Sequence, residues 1–146
     1  MNFSRSGLIM AAILALLTEA CPAAPMTIRT DRYDGIPYVL DAEATVYLDG
    51  DIDAESVKRL GSTLDGLQGI PVTIQFNSAG GELNAAIAMG RLVREHGVAT
   101  SVGRPGAKRF EMLPGKCLGT CAMAYLGGRF RYFTKGSIYG VHRASQ

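Results

Sequence analysis

Charge is sparse and almost balanced in this 146-residue chain, where 15 basic side chains stand against 13 acidic ones for a formal net charge of +2. So small a surplus lacks the strong basic surface that nucleic acid requires, and no nucleic-acid partner is expected. Cysteine is rarer still, with three in all, and two of them, Cys117 and Cys121, do not by themselves make a zinc site. No metal-binding cluster, phosphate loop or nucleotide fingerprint occurs, so no cofactor is expected. Internal repeats and low-complexity tracts are also lacking.

Long apolar runs are confined to the N-terminus, where Arg5 precedes an uncharged stretch from Gly7 to Leu17, followed by Ala20-Cys21-Pro22-Ala23-Ala24-Pro25. That is the three-part pattern of a secretory signal, and the small residues suit cleavage after Ala23. The run is shorter than the roughly 20 residues that span a bilayer, so contact with a membrane is expected only through residues 1–23. A periplasmic or secreted location follows. Cys21 offers lipid attachment as an alternative, although Leu17-Thr18-Glu19-Ala20 fits a lipobox poorly. Removal of the signal leaves an even pair of cysteines, which agrees with export. Their spacing puts them on one face of a helix, where a disulfide requires favourable geometry near a helix end.

The remaining length and the 47% hydrophobic content suit one globular domain with its own core. Residues 24–43 read as a linker and a short strand, with a turn at Asp34-Gly35. From 44 onward the patterns are clearer: a strand over Ala44–Leu48, a turn at Asp49-Gly50, then Asp53 as the N-cap of a helix with Val57, Leu60, Leu64 and Leu67 on one face. Gly69 and Pro71 end that unit, and Val72–Phe76 is the second strand. A helical stripe of Leu83, Ala86, Ile87, Gly90 and Val93 runs up to His96 and Gly97, and Val98–Val102 is a third strand. His96, at the C-terminus of this helix, is accounted for by the helix dipole.

Strand-helix repetition of this kind predicts an α/β fold with a mainly parallel sheet. Residues 103–116, with two prolines, three glycines and four basic side chains, read as a solvated loop. A short small-residue helix is expected over 119–126, then strands at 130–133 and 137–141. Tyr125, Phe130, Tyr132 and Phe133 read as packing residues.

The chemistry concentrates after Phe76. Asn77-Ser78-Ala79-Gly80-Gly81 joins a strand to a helix, and consecutive backbone amides without bulky side chains can hold a developing oxyanion. Two glycines also permit a tight turn with no ligand. This strand-NSAGG-helix stretch resembles the NSPGG segment of the Clp protease proteolytic subunit and its signal-peptide-peptidase relatives, in the ClpP/crotonase superfamily. Ala79 replaces the usual proline. Val46 to Ile52 resembles the strand that enters the family's first helix, and Ile138-Tyr139-Gly140-Val141-His142 its histidine-bearing strand.

The resemblance covers about residues 44–143 of the 44–146 domain, with 103–116 as an inserted loop. It implies that the amides of Gly80 and Gly81 form the oxyanion hole, that His142 is the base, and that peptides or proteins are the substrates or partners. The family's nucleophilic serine falls on Gly119, which has no side chain. Thr120 and Cys121 follow as substitute nucleophiles, but a one-residue helical step of about 100° turns Thr120 away from the site, and Cys121 competes with oxidation to Cys117. The family's orienting acid comes well after the histidine, so a fold truncated near Gln146 and lacking that acid is expected, with much of the family's oligomer surface in the same stretch.

These residues predict an exported relative of the serine peptidases with doubtful turnover. The rival readings are a non-catalytic module that binds a peptide or partner chain, a crotonase-type enzyme, which export makes improbable for want of coenzyme A, and a truncated gene product.

Overall fold

The computed structural model describes residues 24–35, 43–108 and 111–141. Residues 1–23, read above as a secretory signal and including Cys21, and His142 therefore lie outside the described residues.

Among these residues the chain is a mixed α/β fold. Its main sheet has five strands in the order β1 (Thr27–Tyr33), β2 (Glu43–Asp49), β3 (Val72–Asn77), β4 (Ala99–Val102) and β8 (Arg131–Phe133). β2, β3, β4 and β8 run parallel, and β1 closes one edge antiparallel to β2, with Ile28 opposite Leu48 and Thr30 opposite Val46. Where a linker and a short strand were read over 24–43, the described residues form a seven-residue strand over 27–33. Its mixed polarity, which concealed it in the sequence, is that of an edge strand exposed over most of its length.

Helices α1 (Ala54–Asp65) and α2 (Leu83–Glu95) cover one face of this sheet. Val46, Leu48, Ile74, Phe76 and Val102 alternate along the strands toward that face, and meet Leu60 and Leu64 of α1 and Ala86, Met89 and Val93 of α2 in one buried cluster. Each large apolar side chain so buried contributes about 1.5–3 kcal/mol against exposure. α1 starts where expected: Ser56 N donates to Asp53 Oδ1 at 2.6 Å and Asp53 N donates to Ser56 Oγ at 3.0 Å, a reciprocal cap.

The second face is also occupied. β5 (Arg104–Pro105) and β6 (Met112–Leu113) form an antiparallel hairpin inside the segment read as a loop. β5 lies against β2 and β3, on whose far face Tyr47 and Gln75 are buried. β7 (Lys116–Leu118) and β9 (Ile138–Gly140) pair parallel in a separate two-stranded sheet, with α3 (Cys121–Tyr125) and β8 between them in sequence. A bridge from Ser78 to Cys117 hooks this small sheet onto the end of β3.

The aromatic side chains divide. Tyr125 is buried and its ring lies 5.4 Å from those of Phe133 and Tyr139. Phe130, Tyr132 and Phe133 are instead more than half exposed, at 57%, 55% and 52%. Their place on and beside the outer strand β8, which has a neighbour on one side only, accounts for the difference.

Candidate functional site

β3 delivers the chain to the glycine turn with Phe76 anchored in the core. Asn77 then fixes the direction of exit: its Nδ2 donates to Asp49 Oδ2 at 3.0 Å, and its Oδ1 accepts from Lys116 N at 3.1 Å. One side chain thereby joins the ends of β2 and β3 to the start of β7.

Ser78 is buried, and its hydroxyl folds back on the turn, accepting from Gly80 N and donating to Gly80 O, both at 3.1 Å. Gly80 O also accepts from Ile52 N at 2.8 Å, and Glu82 N donates to Ile52 O at 2.9 Å. Gly80 and Gly81 adopt φ of 124° and 142°, in the region that side chains disfavour. A Cβ on Gly81 would strike the backbone of Ile52, and one on Gly80 would lie 3.0 Å from Thr120 Oγ1 and 3.4 Å from Thr120 N. The glycines are therefore required by two close backbone approaches, one on each side of the turn.

This geometry divides the two amides expected to act together. The Gly80 amide is buried and already engaged by Ser78. Gly81 is exposed, the bridge with Ile52 uses its neighbours' groups, and among the described residues its own N–H has no hydrogen-bond partner. The signal for this asymmetry was present in the sequence, because a serine two residues before an amide commonly accepts from it.

The opposite wall comes from the chain between β7 and α3. Gly119 is buried at φ 56°, and its amide donates to Gly140 O of β9 at 2.9 Å. Thr120, half-buried, donates its hydroxyl to Gly81 O at 3.0 Å. It does not turn away from the glycine turn as a helical step from Gly119 would require, because regular helix starts only at Cys121 and Gly119 is left-handed. Cys121 is not a free thiol: it is bonded to Cys117, with Cα atoms 5.3 Å apart and both residues fully buried. A disulfide sulfur has no thiolate to offer, so in this form Cys121 is removed from the candidate nucleophiles.

The structure thus brings together Gly80, Gly81, Gly119 and Thr120, backed by Ser78, Ile52 and the Cys117–Cys121 bond. Sequence reasoning missed Ile52 and Gly140 as supports, since each acts through backbone contacts with residues distant in the chain, and missed Ser78, whose hydroxyl acts locally on Gly80. A cleft of about 470 Å³, lined by Leu64, Leu67, Gln68, Ile70, Val72 and His96, opens at the other end of β3 and is separate from this arrangement. At its rim His96 Nδ1 donates to Leu92 O at 2.9 Å and Nε2 lies 3.3 Å from Asp65 Oδ1. His96 thus holds a helix-terminal carbonyl.

No protein-family model matches the chain. No curated protein matches it either. Among solved structures it is similar to a ClpP1 point mutant from Listeria monocytogenes, at 20% sequence identity and a TM-score of 0.45 over 62% of this chain. The chain spans 56% of the length of that structure, a little over half.

Proposed function

We propose that this protein is an exported, ClpP-like acyl-binding module, a relative of the serine peptidases that keeps a turn for a peptide carbonyl or carboxylate oxygen and has no nucleophile of its own. One observation carries the reading: no side chain at positions 119–121 is poised to attack. Gly119 has none, Cys121 is tied to Cys117, and Thr120 gives its hydroxyl hydrogen to the Gly81 carbonyl. A hydroxyl becomes a nucleophile when a base takes its proton, and a peptide carbonyl is not such a base.

Opposite these positions the Gly81 amide is exposed, unpartnered among the described residues, and free of any side chain that would obstruct an approaching oxygen. Such an amide suits a hydrogen bond from protein to acyl oxygen. With the Gly80 amide spent on Ser78, the support is for one strong donor at this turn, which favours holding an oxygen over stabilising a tetrahedral intermediate. Export is supported by the signal-like residues 1–23 and by the Cys117–Cys121 bond, since disulfides persist in oxidising compartments.

The test pairs covalent and reversible probes. The oxidised protein is treated with a fluorophosphonate and a peptidyl chloromethyl ketone, and its intact mass is measured. Separately, acetyl-tetraalanine with a free carboxylate is titrated while the Gly81 amide is followed by NMR. No adduct together with a saturable Gly81 shift is the expected result. An adduct on Thr120 would establish an enzyme, with His142 the base to examine next, and an unmoved Gly81 amide would end the binding reading.

A further inference from the structure

Three contacts from distant parts of the chain converge on residues 117–121 and their approach. Ser78 N donates to Lys116 O at 2.7 Å and Leu118 N donates to Ser78 O at 3.1 Å, which stitches β7 to the start of the glycine turn. Gly119 N is held by Gly140 O, and Thr120 Oγ1 reaches Gly81 O. The Cys117–Cys121 bond closes these residues into a small ring inside which Gly119 and Thr120 sit.

Local order around them is limited to two backbone hydrogen bonds, Ala122 N to Gly119 O at 3.2 Å and Met123 N to Thr120 O at 2.9 Å. Gly119 is the most permissive residue type, and α3, five residues long, is far below the length at which a helix holds itself. Thr120 makes no side-chain cap to α3, so its hydroxyl does not help set the helix start. The covalent link between Cys117 in β7 and Cys121 at the start of α3 acts with these hydrogen bonds to limit where Thr120 falls.

We infer that the Cys117–Cys121 disulfide is a positioning element for the glycine turn, holding Thr120 against Gly81 and so making ligand affinity at that turn depend on the oxidation state of the pair. The ligand half of this statement rests on the proposed function, whereas the coupling between disulfide and turn rests on the contacts alone. The switching reaction is thiol-disulfide exchange with a dithiol. One reductant thiolate attacks a cysteine sulfur and expels the other cysteine, and the second reductant thiolate then attacks the first reductant sulfur and expels the cysteine still bound to it. Two electrons pass to the protein, two cysteine thiols form, and the reductant leaves as a cyclic disulfide.

The full chain, labelled with nitrogen-15, is compared oxidised, reduced with dithiothreitol, and as the C117A/C121A variant, which needs no reductant to reach buried sulfurs. Reduction and the double variant should each shift the Gly81 and Thr120 amide signals and speed hydrogen exchange about tenfold at Gly119, whose amide is bonded to Gly140 O, while Val46 and Ile74 in the centre of the sheet keep their positions. Thr120→Val in the oxidised chain should reproduce the Gly81 change, and reducing that variant should add little, the signature of one shared path. Acetyl-tetraalanine should bind the reduced chain about three- to tenfold more weakly than the oxidised one.

Unchanged Gly81 and Thr120 amides on reduction would overturn the inference. So would loss of the Val46 and Ile74 signals along with them, because the disulfide would then be a staple for the whole fold. If Gly81 and Thr120 respond to reduction and the peptide moves no amide of the oxidised chain, the positioning stands and the proposed function falls.

Discussion

The hydroxyl of Thr120 donates to the carbonyl of Gly81 across 3.0 Å, although 39 positions separate the two residues in the chain. The contact decides how the turn after β3 is to be understood. A threonine beside a glycine turn invites the role of a substitute nucleophile, yet its hydrogen is committed to a peptide carbonyl. The same contact gives the turn a second wall, and Gly80 must lack a side chain for that wall to approach.

Gly81→Ala should be severely destabilising. The added methyl meets the Ile52 backbone and the residue must hold φ of 142°, so neither a rotamer change nor a small shift relieves it. A loss of about 3 kcal/mol or more in urea unfolding is expected from the strain and the clash together. A variant with near-native stability would mean that the turn and Ile52 are not in contact in solution.

Ser78→Ala removes the buried acceptor of the Gly80 amide and the donor to its carbonyl in one step. An orphaned buried group costs about 1–3 kcal/mol, which denaturant titration resolves. The freed Gly80 amide should also exchange with solvent faster, and an unchanged exchange rate would show that Ser78 does not engage it.

His96 supplies a pH signature away from the turn. The Leu92 carbonyl, which takes the Nδ1 hydrogen, raises the histidine above its ordinary range, partial burial works against this, and Asp65 with Glu95 adds in the raising direction. A raised folded value means that the stabilisation is complete below the unfolded value of about 6.5 and disappears as pH climbs through the folded one. The stability difference between the wild type and His96→Gln, about 1 kcal/mol or less because Asp65 is largely exposed, should therefore be greatest at pH 5 and vanish by pH 9. Growth of the difference with pH would reverse the sign and refute the assignment.

Much of the fold was legible because it rests on local patterns. The apolar spacing of Leu60 and Leu64, the aspartate at 53 and the glycine at 97 mark α1 and the end of α2 with no knowledge of what they pack against. β1 was legible only as a short strand somewhere in 24–43, since an edge strand needs only one neighbour and its charged residues are compatible with a linker. β9 lies inside the strand read over 137–141, but β7 was not legible, since a strand of three residues has no period to read and its place is set by the hook at Ser78.

The candidate site divides along the same line. The sequence by itself determined that two adjacent glycines follow β3, that position 119 holds no side chain, and that two cysteines stand four positions apart, because residue identity and spacing settle each of these. Tertiary structure alone decided that the Gly81 amide stays unpartnered, that Thr120 faces the turn, and that Cys121 is spent on Cys117. Those outcomes depend on where β7 and α3 come to rest against β3, and hydrogen bonds between segments dozens of residues apart have no signature in local sequence.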